Sequence, residues 1–136
     1  MYVLDTNALS ALMRGDEAFL RRIERAEKQS VLVPQPVLAE IAYGIERLPR
    51  SKRKERLRRR FELIRDELAR CPWTDEVSEC FGSIKARLER RGERIEDFDV
   101  AVAAHARVVD GVLVTANRAH MARVDGLEME DWTLER

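Results

Sequence analysis

The chain has 136 residues, 45% hydrophobic and 37% charged, enough for a packed core in one domain spanning 1–136 and too few to divide comfortably into two. Twenty-five basic residues balance 25 acidic ones, so only local charge can point to a polyanionic partner. No stretch approaches the ~18 apolar residues of a membrane span. The start MYVLDTN lacks the basic region of a secretory signal, and its apolar run stops at Asp5. Cys71 and Cys80 show neither CxxC spacing nor a disulfide framework and suit reduced thiols packed as small core residues. A cytoplasmic protein without membrane association is expected.

In chain order, residues 2–4 read as a strand, and TNALSALMRG as a helix with Leu9, Leu12 and Met13 on one face and Gly15 at its end. Asp16 suits the cap of a second helix carrying Phe19, Leu20 and Ile23. SVLVP reads as a short buried strand ended by Pro34, and Pro36 opens a third helix whose apolar face is Val37, Ile41, Ile45 and Leu48. A longer helix is expected over 51–70, with its stripe at Leu57, Phe61, Ile64 and Leu68 and arginines opposite. Another is expected over 75–91, with Asp75 and Glu76 in its first turn and Gly92 just beyond. An alanine-rich helix over 97–109, the strand GVLVT (111–115), a helical turn at 118–123 and a last strand at 127–129 complete the chain.

Short β-branched strands alternating with helices require crossover connections. They predict an α/β fold, a central parallel sheet flanked by helices. In such sheets the ligand crevice lies beyond the carboxyl ends of the strands, where Asp5 and Thr115 stand.

Four further polar positions interrupt apolar patterns. Glu40 lies beside the buried face of its helix, where an ionised carboxylate needs a partner, and Gly44 one turn on removes bulk from that face. Asp97 and Asp99 precede the run VAVAAHA, one of them a natural N-cap. Asn117 follows Thr115 at a strand end. Asp5, Glu40, Asp99 and Asn117 could converge on one sheet edge. Clustered carboxylates of this kind suit Mg²⁺ or Mn²⁺, which prefer oxygen ligands and relieve mutual repulsion.

With these pieces in place, the sequence resembles the PIN-domain ribonucleases, and within them the toxins of VapBC-type toxin–antitoxin pairs. The matching stretches are VLDTN, PVLAEIAYG around Glu40, DVAVAAHA from Asp99, LVTANRAHM and VDGLEMEDW, in family order and covering nearly the whole chain. The resemblance implies a PIN-like α/β/α sandwich and a metal-dependent endoribonuclease. It implies Asp5, Glu40 and Asp99 as an acidic triad holding Mg²⁺ or Mn²⁺, and Asn117 at a fourth catalytic position where many relatives carry aspartate. Thr6, Asn7 and Thr115 would support them. In-line attack of activated water on phosphorus would leave 5′-phosphate and 3′-hydroxyl ends. The implied partners are RNA, a VapB-type antitoxin and a second copy of the chain. Relatives often carry glycine or proline just before the third acid, where this chain has Glu96 and Asp97. Both Asp97 and Asp99 therefore stay eligible, although Asp99 shares a helix face with Val102, Ala103 and Ala106, whereas Asp97 lies about 200° around or caps the helix. Met121, where an aromatic is common, is expected in the core.

The segment 47–60 holds nine basic residues and one acid. It reads either as a phosphate-binding surface, with Arg56, Arg59 and Arg60 as candidates, or as a solvated helix face. His105 and His120 have no nucleophile or ligand motif beside them and are expected to be structural. A phosphotransferase of the haloacid dehalogenase type would need an aspartate where Asn7 stands. A catalytically weak, RNA-binding PIN-like module is the remaining alternative; it would be expected to lose acids that this chain keeps.

Overall fold

In the computed structural model, which describes residues 1–134, the strands are β1 (Tyr2–Leu4), β2 (Val31–Pro34), β3 (Ala69–Cys71), β4 (Val112–Val114) and β5 (Glu128–Glu130). They form one sheet in the order β3-β2-β1-β4-β5, and every pairing is parallel. The helices are α1 (Thr6–Arg14), α2 (Glu17–Glu24), α3 (Gln35–Glu46), α4 (Lys52–Glu67), α5 (Asp75–Arg90), α6 (Asp97–Val108) and the single turn α7 (Arg118–Met121).

Side-chain alternation along the strands divides the core in two. Val3 pairs in register with Leu32 and Leu113, and all three pack with Val37 and Ile41 of α3 and Val102 and Ala106 of α6. Leu4, Val31 and Val114 turn the other way and meet Ala8 and Ala11 of α1, Phe19 of α2 and Trp132. Burial of each such valine or leucine stabilises the fold by roughly 1.5–3 kcal/mol, so helices are held on both faces of the sheet. Val100, Ala103 and Ala104 of α6 also pack against Val77, Ile84 and Leu88 of α5. Cys71 is buried in the first core and Cys80 half-buried, both as free thiols, and burial pushes the Cys71 thiol up to about 11. Met121 is fully buried in that core.

Local signals set the boundaries. Asp5 caps α1 by accepting the Ala8 N–H at 2.8 Å. Gly15, at φ 74°, ends the same helix in the left-handed region that glycine enters at no steric cost. Asp16, Ser51 and Thr74 cap α2, α4 and α5 through their side-chain oxygens.

Two expectations need correction. Helix α4 does not run to residue 70: Leu68 is already extended at φ −89°, ψ 142°, and residues 69–71 form the edge strand β3 beside β2. The Arg70 guanidinium donates to the carbonyls of Arg65 and Leu68 at 2.7 and 2.9 Å, satisfying groups that the helix end leaves orphaned. Asp97 does not cap α6; Glu96 occupies the cap position without a side-chain capping bond.

Strand β1 sits in the middle. The chain leaves it for β2 on one side and later returns to β4 on the other, which opens a crevice at the carboxyl ends of β1 and β4.

Candidate active site

Asp5 is the first residue beyond β1. Its backbone N–H still pairs with the Val114 carbonyl at 3.2 Å, while its side chain turns to cap α1. The carboxylate is therefore fixed by strand and helix together and is only 4% exposed. Thr115, the first residue beyond β4, is 1% exposed and hydrogen-bonds Asp5 through its hydroxyl. That same Oγ1 accepts the Asn117 backbone N–H at 2.9 Å.

Glu40 reaches the crevice from α3. Its Oε1 accepts the Thr6 hydroxyl at 2.6 Å, so the half-buried acid is tied to the first turn of α1. Asp99, in the first turn of α6, completes the group. Burial pushes the Asp5 carboxyl above its ordinary value, opposed by the Thr115 and Ala8 hydrogen bonds and reinforced by the charges of Asp99 and Glu40. Asp99 is raised in the same way, first by burial and then by Glu40, with His120 drawing it down and Glu96 adding to the rise. These mutual effects place Asp5, Glu40 and Asp99 at one site, although their sequence positions are far apart.

Asn117 stands at the cap position of α7, and its side-chain Nδ2 lies 3.1 Å from His120 Nδ1. Asn7 is exposed on the outer side of α1. Asp97 lies apart from the acids, paired with Lys85 of α5 at 3.0 Å, so the structure brings Asp99 and not Asp97 to Asp5 and Glu40. Sequence reasoning missed His120 and Glu96 as neighbours of Asp99. The available signal for His120 was its i+3 spacing from Asn117 on a helical turn. His105, by contrast, is fully buried and bonds the Ala101 carbonyl through Nδ1 at 2.7 Å. Burial lowers its pKa, and Trp73 meets its ring edge-on at 5.3 Å.

The donor set fits a hard divalent cation: three carboxylates, one amide and two hydroxyls, with no thiol among them. Each carboxylate is held by an element terminus or a hydroxyl, and the like charges at the site oppose ionisation, a cost that a cation would offset. Among the described residues, no three His, Cys, Asp or Glu side chains are already drawn together as a metal cage.

From Glu40 a shallow apolar groove runs past Gly44 along Met13, Ile41, Ile45, Leu48 and Leu57 to Arg14 and Arg60. A Cβ at Gly44 would meet nothing within 4 Å, so the groove is open there. All three arginines singled out on α4, Arg56, Arg59 and Arg60, are exposed, and Arg60 also donates to the Met13 carbonyl at 2.7 Å, closing the end of α1.

Central parallel sheet, crevice and acidic set together define the architecture of a PIN-type nuclease, and the chain belongs to that family: the model described as "PIN domain" matches residues 2–127. Its sequence is similar to Ribonuclease VapC2 of Haemophilus influenzae, at 33% identity over 96% of this chain and 97% of that one. It is also similar to the tRNA(fMet)-specific endonuclease VapC of Shigella flexneri, at 28% identity over 97% and 98% of the two chains. Among solved structures it resembles a chain of VapBC2 from Rickettsia felis bound to a DNA fragment from their promoter, with a TM-score of 0.87, 26% identity and coverage of 96% and 98%.

Proposed function

We propose that this protein is a Mg²⁺- or Mn²⁺-dependent endoribonuclease, the toxin of a VapBC-type pair, working in the cytoplasm as a single PIN domain. The observation that carries the reading is the meeting of Asp5, Glu40 and Asp99 from three separate elements, each acid within electrostatic reach of another. Membership of the PIN family and similarity to VapC ribonucleases support the same conclusion. Among the described residues no helix is long and apolar enough to cross a membrane.

In this reading Asp5, Glu40 and Asp99 hold the cation, and Asn117 stands at the edge of the site. The bound ion would supply Lewis-acid activation of water and charge neutralisation at the scissile phosphate. The chain's own groups provide the rest. The Thr6 hydroxyl keeps Glu40 turned to the crevice, and Thr115 holds Asp5 in the rotamer that also caps α1. Asn117 offers the phosphate or its water a neutral polar group, and the exposed Arg56 and Arg59 attract the RNA backbone from outside. Water attacks phosphorus in line, the bond to the 3′ oxygen breaks, and 5′-phosphate and 3′-hydroxyl ends result.

The groove beside Glu40 offers a VapB-type antitoxin an apolar seat that ends at the acids, where an arginine side chain would bind carboxylates bidentately. A second copy of the chain would cover Trp73 and Phe98, each 45% exposed. The decisive experiment incubates the purified protein with RNA substrates that include tRNA(fMet). Cleavage with Mg²⁺ or Mn²⁺ that stops in excess EDTA is the expected result, and full activity in EDTA would overturn the reading.

A further inference from the structure

The contacts of Asp5, Glu40 and Thr115 explain how those groups are held, but Asn117 is anchored by its backbone alone unless His120 contributes. Asn117 Nδ2 lies 3.1 Å from His120 Nδ1. An amide nitrogen can only donate, so in this contact Nδ1 is the acceptor. The contact extends an unbroken chain of hydrogen bonds. Asp5 bonds the Thr115 hydroxyl, that hydroxyl accepts the Asn117 backbone N–H at 2.9 Å, and the Asn117 side chain reaches His120. His120 lies three residues after Asn117, the cap residue of α7, a helix of one turn that also plants Met121 in the core. The base of the imidazole is therefore rigidly set although its ring is exposed.

We infer that His120 is a positioning residue: by accepting from Asn117 Nδ2 it fixes the side-chain amide, so that Oδ1, its one acceptor, is presented to the site. The inference rests on the ribonuclease reading for its catalytic consequence. An unrestrained amide presents donor and acceptor interchangeably, because its two ends are nearly the same shape. At a site built from carboxylates and intended for a cation, a donor pointing inward is the wrong group. Presenting Oδ1 instead lets a neutral residue supply an oxygen without adding a fourth charge to acids that already oppose one another's ionisation.

Asparagine and glutamine substitutions separate the two ring nitrogens, because Asn Oδ1 sits near the place of Nδ1 and Gln Oε1 near that of Nε2. Expected kcat values for RNA cleavage fall about three- to tenfold in His120→Ala and His120→Gln, the worth of one hydrogen bond. KM should change little, and His120→Asn should recover most of the loss. In ¹⁵N-resolved spectra the Asn117 side-chain amide, assigned by its disappearance in Asn117→Asp, should shift in His120→Ala and return toward the wild-type position in His120→Asn. Equal kcat in His120→Ala and wild type would overturn the inference, as would an Asn117 resonance unmoved by that change. So would a raised KM with a weaker salt dependence in both His120→Ala and His120→Asn, which marks a direct cationic contact with RNA phosphate. A wild-type protein that cuts no RNA defeats the ribonuclease reading instead, and the Asn117 resonance still decides the positioning contact.

Discussion

Replacing Asp5 by asparagine and, separately, by alanine divides its work for the fold from its work for the site. Asparagine keeps an oxygen for the Ala8 N–H and the Thr115 hydroxyl while removing the charge. Alanine removes the cap, worth about 1 kcal/mol, and leaves the buried Thr115 hydroxyl without its acceptor, at a cost of about 1 kcal/mol or more. The two variants should therefore differ by roughly 2 kcal/mol, or about 8 °C in melting temperature for a chain of this size. The sign against wild type follows from linkage. Asp5 has a folded-state pKa raised above its ordinary 3.8. The native protein therefore binds more protons than the unfolded chain between the two values, and stability is lost as pH rises through them. His105, whose pKa is lowered, acts in the opposite sense below about 6.5, but it is present in every variant and cancels in the differences. Calorimetry after chelator treatment should show Asp5→Asn at least as stable as wild type at pH 7.5, with an advantage that shrinks toward pH 4. Added Mn²⁺ should raise the melting temperature of wild type only, by mass action. An Asp5→Asn protein melting below Asp5→Ala, or an advantage independent of pH, would refute the reasoning.

Asp99→Asn should abolish RNA cleavage with the fold intact, whereas Asp97→Asn should keep most activity and lose at most about 1 kcal/mol of stability, the worth of its exposed pair with Lys85; single-turnover cleavage and thermal melts check both. Arg56→Gln combined with Arg59→Gln should weaken RNA binding and flatten its dependence on salt, read from titrations at several salt concentrations. Arg60→Gln should act mainly on stability, lowering the melting temperature by a few degrees, because its guanidinium serves the Met13 carbonyl.

Much of this was legible in the sequence because local rules agree with the global fold. Asp5, Asp16 and Gly15 mark helix boundaries through capping that needs no distant partner. Periodicity also placed Asp99 on the face of α6 that packs inward, with Val102, Ala103 and Ala106. Strand β3 was hidden because Leu68 continues the helical stripe of Leu57, Phe61 and Ile64, and three residues carry too little alternation to oppose it. Pro72, which disfavours a helical conformation for Cys71, was the usable signal. The partner of Asp97 could not be read, since Lys85 approaches from another helix. His120 escaped for a related reason: its neighbour Asp99 comes from α6, and only tertiary packing brings the two together.

The central place of β1 has a consequence for how the protein is born. Tyr2, Val3 and Leu4 are synthesised long before one of their two neighbouring strands, β4, in which Val112 pairs with Tyr2. At translation rates of about 5–20 residues per second, the first strand waits several seconds or more for that neighbour. Until then Asp5 lacks both the Val114 carbonyl and the Thr115 hydroxyl that fix it, and Asp99 has only just been made. A nascent chain of this topology carries no assembled acid cluster until β4 has been made and has paired with β1. Vectorial synthesis therefore leaves the acid cluster unassembled until both α6 and β4 have been made, and a chain cut short before β4 lacks the strand that fixes Asp5.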